Sequence, residues 1–168
     1  MHRILTILLF FLAFNLNIFP QDTIQSLIQK FTDKDQFING EAINELVNIG
    51  EPAVEYLTKS LQDEDENVRW CSAIALEKIS PIGKQSIPFL IKALQDKNSD
   101  VRWCSALALG KFKTDAISAI PELQKLLSDE DYDVRRAAYI SLSKIDKKSL
   151  NVTPNLSERI NIIEKLTP

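Results

Sequence analysis

Val101-Arg102-Trp103-Cys104-Ser105-Ala106-Leu107-Ala108-Leu109 occurs nearly letter for letter upstream, as Val68-Arg69-Trp70-Cys71-Ser72-Ala73-Ile74-Ala75-Leu76. A looser copy follows as Val134-Arg135-Arg136-Ala137-Ala138-Tyr139-Ile140-Ser141-Leu142, and successive copies stand 33 residues apart. A fixed period of this size means that one supersecondary unit, unable to bury its apolar face alone, is stacked on copies of itself. The spacing predicts an all-α solenoid.

Each period divides into two helices, of which the quoted string opens the second. The first is read from Pro88-Phe89-Leu90-Ile91-Lys92-Ala93-Leu94, its copy at Pro121 to Leu127, and Glu55 to Leu61 one period earlier. Phe89, Leu90, Ala93 and Leu94 follow a buried helical stripe, and proline suits a first helical turn. Gly50 and Gly83, one period apart, stand where preceding helices should end. At 100° per residue the second helix gathers Val68, Cys71, Ser72, Ala75, Leu76 and Ile79 on one side, and Val101, Cys104, Ser105, Ala108, Leu109 and Phe112 in the next copy. Between the helices lies an acidic link whose last residue is Asn67, Asp100 or Asp133, the expected N-cap.

The period decays at both ends. Upstream, Thr23 to Phe31 and Gln36 to Asn48 supply a degenerate pair whose apolar residues include Phe37; downstream, Pro154 opens a lone amphipathic capping helix. Residues 1–20 are of another kind: His2 and Arg3 lead into the apolar run from Ile4 to Phe14. That order fits a secretory signal peptide, whose core is about 7 to 15 residues, better than a membrane span of about 20. No Ala-x-Ala precedes Gln21, so an uncleaved N-terminal membrane anchor stands as the alternative. The expected organisation is thus a signal peptide over 1–20 and a repeat domain over 21–168, in an exported chain.

Paired helices of this length, with Val-Arg-x-x-Ala-x-x-Ala-Leu opening the second, resemble the HEAT repeats, in particular the short HEAT-like repeats of the phycobilisome-lyase type. The resemblance covers roughly residues 22 to 166 and implies a right-handed α-solenoid of antiparallel helix pairs. In similar repeats the Arg of the string bridges to an acidic residue of the neighbouring link. For Arg69, Arg102 and Arg135 the resemblance therefore implies a structural ladder with Asp100 and Asp133 as partners. The family spans scaffolds, adaptors, bilin lyases, a metal-dependent hydroxylase and a DNA glycosylase branch, so fold alone selects no function.

Composition narrows the choice. A net charge of −3 and a pI near 5.3 argue against nucleic acid, whose binding draws on neutralised phosphates. The single histidine, His2, lies in the leader, which removes the His-Glu metal pairs that the hydroxylase branch needs, and histidine general-base chemistry with them. Asp63-x-Asp65-x-Asn67 and Asp129-x-Asp131-x-Asp133 open like a calcium loop, but Val68 or Val134 stands where its Gly should be and Ile74 or Ile140 where its Glu should be. Solvated caps are the better reading. Cys71 and Cys104 share one slot in successive repeats, about 8 to 10 Å apart by helix packing, too far for a disulfide. No catalytic residue, metal or cofactor is expected.

Trp70 and Trp103 lie opposite the core stripe, Arg136 fills their slot in the next copy, and Tyr139 follows one turn on. In similar arrays the second helices line the concave face, so these four are the expected partner-binding residues, Trp, Tyr and Arg being enriched at hot spots. Packing of each Trp on its neighbour and on Ile74 or Leu107 is the compatible alternative. The expected function is a scaffold binding another protein or peptide, against an enzyme or enzyme subunit similar to the bilin lyases.

Overall fold

The computed structural model describes residues 21–33 and 35–152; the expected leader over 1–20 and capping helix from Pro154 lie outside the described residues. Eight α-helices follow one another within them: α1 (Gln21–Gln29), α2 (Gln36–Ile49), α3 (Glu51–Ser60), α4 (Glu66–Ile79), α5 (Ile87–Ala93), α6 (Ser99–Phe112), α7 (Ile120–Leu126) and α8 (Tyr132–Ile145). Short 3-10 turns at Lys30–Thr32, Lys84–Ser86, Lys113–Ala119 and Lys147–Val152 join or end them, and there is no β-strand among the described residues. The helices pair as α1/α2, α3/α4, α5/α6 and α7/α8, with Pro52, Pro88 and Pro121 in the opening turns of α3, α5 and α7. Their missing N–H costs nothing there.

The array is held chiefly through its second helices. In succession α2, α4, α6 and α8 pack on one another, whereas α3, α5 and α7 mainly touch the second helix of their own pair. Units that approach more closely on one side bend toward it, which puts the second helices on the inner face. Small residues permit the approach. Ala73 and Ala106 are fully buried although they lie outside the expected stripe, and the Ser141 hydroxyl of α8 donates to the Ala106 carbonyl of α6 at 2.6 Å. A Cβ added at Gly110 would come within 2.9 Å of the Ser141 Cα. The core thus runs around each second helix toward the next repeat as well as toward the first helix.

Two local expectations are corrected. The N-caps are Asp65, Asn98 and Asp131, two residues before Asn67, Asp100 and Asp133. Each link is a pair of overlapping turns: Asp129 Oδ1 accepts from the Asp131 N–H at 2.9 Å, and Asp131 Oδ1 from the Asp133 N–H at 2.8 Å. Asp96 with Asn98, and Asp63 with Asp65, do the same, so these side chains are committed to backbone donors as turn-forming Asp and Asn are. Gly50 does end its helix, its N–H reaching the Leu46 carbonyl. Gly83 does not: α4 stops at Ile79, and Gly83 instead turns the following segment at φ 81°, where a Cβ would meet Val54 Cγ1 at 2.6 Å. Phe37, one of the apolar residues of the degenerate first pair, is 72% exposed.

Candidate functional site

The Arg of each string sits in the first turn of its helix and folds back over the link. Arg69 Nη1 donates to the Asp63 and Glu64 carbonyls at 2.9 and 3.0 Å, while Nε and Nη2 grip the Asp96 carboxylate of the next link at 2.7 and 3.1 Å. Arg102 repeats the arrangement with the Asp96 and Lys97 carbonyls and with Asp129 at 2.9 and 2.8 Å. The carboxylate partners are thus Asp96 and Asp129, not Asp100 and Asp133. The latter pair lie exposed in the first turns of α6 and α8, where they complement the positive helix ends. The early helix start explains the shift, since it brings the first acid of the next link, not the last, within reach of the guanidinium. Arg135 caps its own link through the Asp129 and Glu130 carbonyls and lies over the Tyr132 ring.

These pairs are buried: the Arg102 and Asp129 side chains are each 9% exposed. Burial raises the Asp129 carboxyl, but the Arg102 hydrogen bonds, the Asp131 N–H and the charges of Arg102 and Arg135 outweigh it and hold the group below its ordinary value. Arg69 and Arg102 are raised by their carboxylate hydrogen bonds. Bidentate, fully committed groups of this kind brace the stack; they are not free to take a ligand. Beside Arg69 a groove of about 520 Å³ opens between the links and Phe89, floored by Leu61 and Ala93.

The inner face is built from the solvent side of the second helices, and one slot of each carries its ridge. Phe37, Trp70, Trp103 and Arg136 occupy that slot in α2, α4, α6 and α8, a row to which the sequence reading had assigned only the last three. The two tryptophans differ. Trp70 is half-buried against the core, its indole N–H enclosed without a well-formed partner and directed toward the Cys104 thiol of the next helix. Trp103 is 37% exposed, and Arg136 is exposed. Beneath the ridge Ile74, Leu107 and Ile140 are half-buried. Tyr139 departs from the expected set: its slot is that of Ala73 and Ala106, on the side each repeat turns toward the next, and its ring packs half-buried on the core. It belongs to the stacking side.

Nucleophilic chemistry finds little here. Cys71 and Cys104 are free and buried; burial, with the charge of Asp65, pushes the first thiol up to about 11, and burial, with nearby Glu77, Asp100 and Cys71, pushes the second up to about 12. Neither forms a useful thiolate near neutrality. Among the described residues no group of three or more His, Cys, Asp or Glu could hold a metal ion, and no helix is long and apolar enough to cross a membrane.

Antiparallel helix pairs stacked through their second helices, with an arginine–aspartate ladder sewing each link to the next, define an α-solenoid repeat protein. The family model for HEAT repeats matches residues 24–82 and 87–161, and the chain belongs to the HEAT-repeat family. No curated protein matches it significantly. Solved structures agree with the fold. The complex of CpcE and CpcF of phycocyanin lyase from Nostoc sp. PCC7120 is similar with a TM-score of 0.70 and 22% identity, over 85% of this chain and 98% of that one. An engineered protein follows at 0.58 and 22%, over 86% and 72%. A designed armadillo repeat protein in complex with the peptide (KR)4 follows at 0.56 and 20%, over 84% and 74%.

Proposed function

We propose that this chain is a binding scaffold that recognises another protein through the inner face of its second helices. The observation that carries the reading is a slot that leaves large side chains in solvent in three of the four repeats: Phe37 at 72% exposure, Trp103 at 37% and Arg136 in the repeat after it. A large indole half in water on a rigid helix is an anchor that loses little entropy on binding. The likeness in fold to a designed armadillo repeat protein in complex with a peptide supports a binding use of such a stack. The leader pattern of residues 1–20 supports an exported scaffold; mass spectrometry of the natural protein should find a chain beginning near Gln21, and a full-length membrane-embedded product would favour the anchor instead.

The test is pull-down from the exporting compartment with wild type and Trp103→Ala in parallel. Loss of a captured protein with an unchanged melt supports the reading, and capture undiminished by the substitution contradicts it. A second reading, a subunit of an enzyme complex, is favoured by the likeness to the phycocyanin lyase assembly. It predicts bilin-dependent absorbance changes on mixing with chromophore, which the scaffold reading does not.

A further inference from the structure

Across the ridge, the inner face carries charge in zones. On the side of the helix N-termini stand the exposed carboxylates of Asp100 and Asp133, in equivalent slots of α6 and α8. Eleven residues further along the same helical faces stand Lys78, Lys111 and Lys144 in α4, α6 and α8, while α2 carries Glu45 at that slot. Lys111 leans back to Glu77 of the previous helix at 2.6 Å. Lys78 and Lys144 are exposed and have no ion-pair partner among the described residues. Eleven residues of helix separate the two rows by about 16 Å, and a helix with its side chains is about 10 to 12 Å across. Between the rows lie the ridge and the half-buried Ile74, Leu107 and Ile140.

Spacing along the stack selects the form of the occupant. Packed helices lie about 8 to 10 Å apart, and seven residues of a helix rise about 10.5 Å. A partner helix lying across the second helices therefore sets one apolar side chain per heptad against each repeat. At the wider end of that spacing a strand, whose facing side chains repeat every 6.8 Å or so, falls about 3 Å out of step at each repeat. We infer, resting on the scaffold reading above, that the face takes an amphipathic helix of a partner protein with an acidic flank on the lysine row and a basic flank on the aspartate row. Opposed zones fix the direction in which that helix lies, because reversing it sets like charges together.

Three synthetic 21-residue helical peptides test this by fluorescence titration. All share a heptad stripe of Leu and Phe; one carries Glu on one flank and Lys on the other, one Glu on both, one Lys on both. The mixed peptide should bind about tenfold more tightly than either other, two or three exposed ion pairs being enough for that factor. This holds even against the doubly basic peptide that the chain's net negative charge favours. In the double variant Lys78→Glu/Lys144→Glu the doubly basic peptide should become the tightest of the three. Equal binding of all three, an order unchanged by the double variant, or no binding at all overturns the inference. If the three bind equally and all lose affinity in Trp103→Ala, the recognition face stands while its charge zoning falls.

Discussion

At the scale of single residues, equivalent slots do unequal work. Trp70→Ala removes a half-buried ring set against the next helix and should cost about 1 to 3 kcal/mol in a urea melt, below the range for a fully buried aromatic. Trp103→Ala should leave the melt within about 0.5 kcal/mol, as surface changes do, and act on partner binding by about 1 to 3 kcal/mol. Equal melts for the two variants would contradict the difference in burial. The thiols give a second check: Cys71 and Cys104 should resist a thiol reagent in the native protein and both react, as free groups, once it is unfolded without reductant. That the tryptophans face away from the first helix was legible from 100° per residue. That one leans onto Cys104 was not, because helical projection describes a helix alone and contains no neighbour. The same blindness put Tyr139 on the ridge and left Phe37 off it, although the 33-residue offset from Trp70 to Phe37 was there to be used.

The links set the behaviour of whole elements. Arg102→Ala would leave Asp129 buried beside backbone donors without its countercharge, so it should destabilise by about 3 to 5 kcal/mol. Arg135→Ala removes contacts to two carbonyls and to the Tyr132 ring but breaks no bidentate carboxylate pair, and should cost about 1 kcal/mol. Acid exposes the same pair. Asp129 is held below its ordinary value in the folded chain, so the unfolded chain takes up the proton first as pH falls. The stability it contributes is complete above the unfolded value near 4 and is lost as pH drops through the lower folded value. Melts between pH 7 and pH 2.5 should show Arg102→Gln losing less stability to acid than wild type; an equal loss would remove Asp129 from the account. The period announced that links and arginines recur, but the choice of acid depended on the start of the helix. Three candidate caps in five residues, all Asp or Asn, left that start ambiguous by two positions.

Taken whole, the molecule has no single centre. Leu109 is fully buried in α6, with α4 and α8 on either side, and Leu109→Ala should cost about 2 to 5 kcal/mol. Phe37→Ser, at the exposed N-terminal end of the ridge, should leave the melt nearly unchanged. Similar losses at both would contradict the stack as drawn. Fold class, period and pairing were legible because repetition multiplies a weak helical signal fourfold, whereas the binding face rests on exposure, which no repeat pattern encodes.

Asp96 accepts the arginine of the unit before it while shaping the turn that starts the helix after it. The α5/α6 unit therefore carries both the socket for its predecessor, Asp96, and the plug for its successor, Arg102. Removing residues 67–99 joins Asp63-Glu64-Asp65-Glu66 directly to Asp100-Val101-Arg102, so that Asp65 caps the new helix, Arg102 inherits the carbonyls that served Arg69, and Asp129 remains in place to receive it. The shortened chain should fold with the same circular dichroism and a lower Tm, and a duplicated segment should raise it; a deletion product that fails to fold would show that the units are not interchangeable. A gene so arranged can lengthen or shorten its reach by whole modules, copying a joint along with each part that it connects.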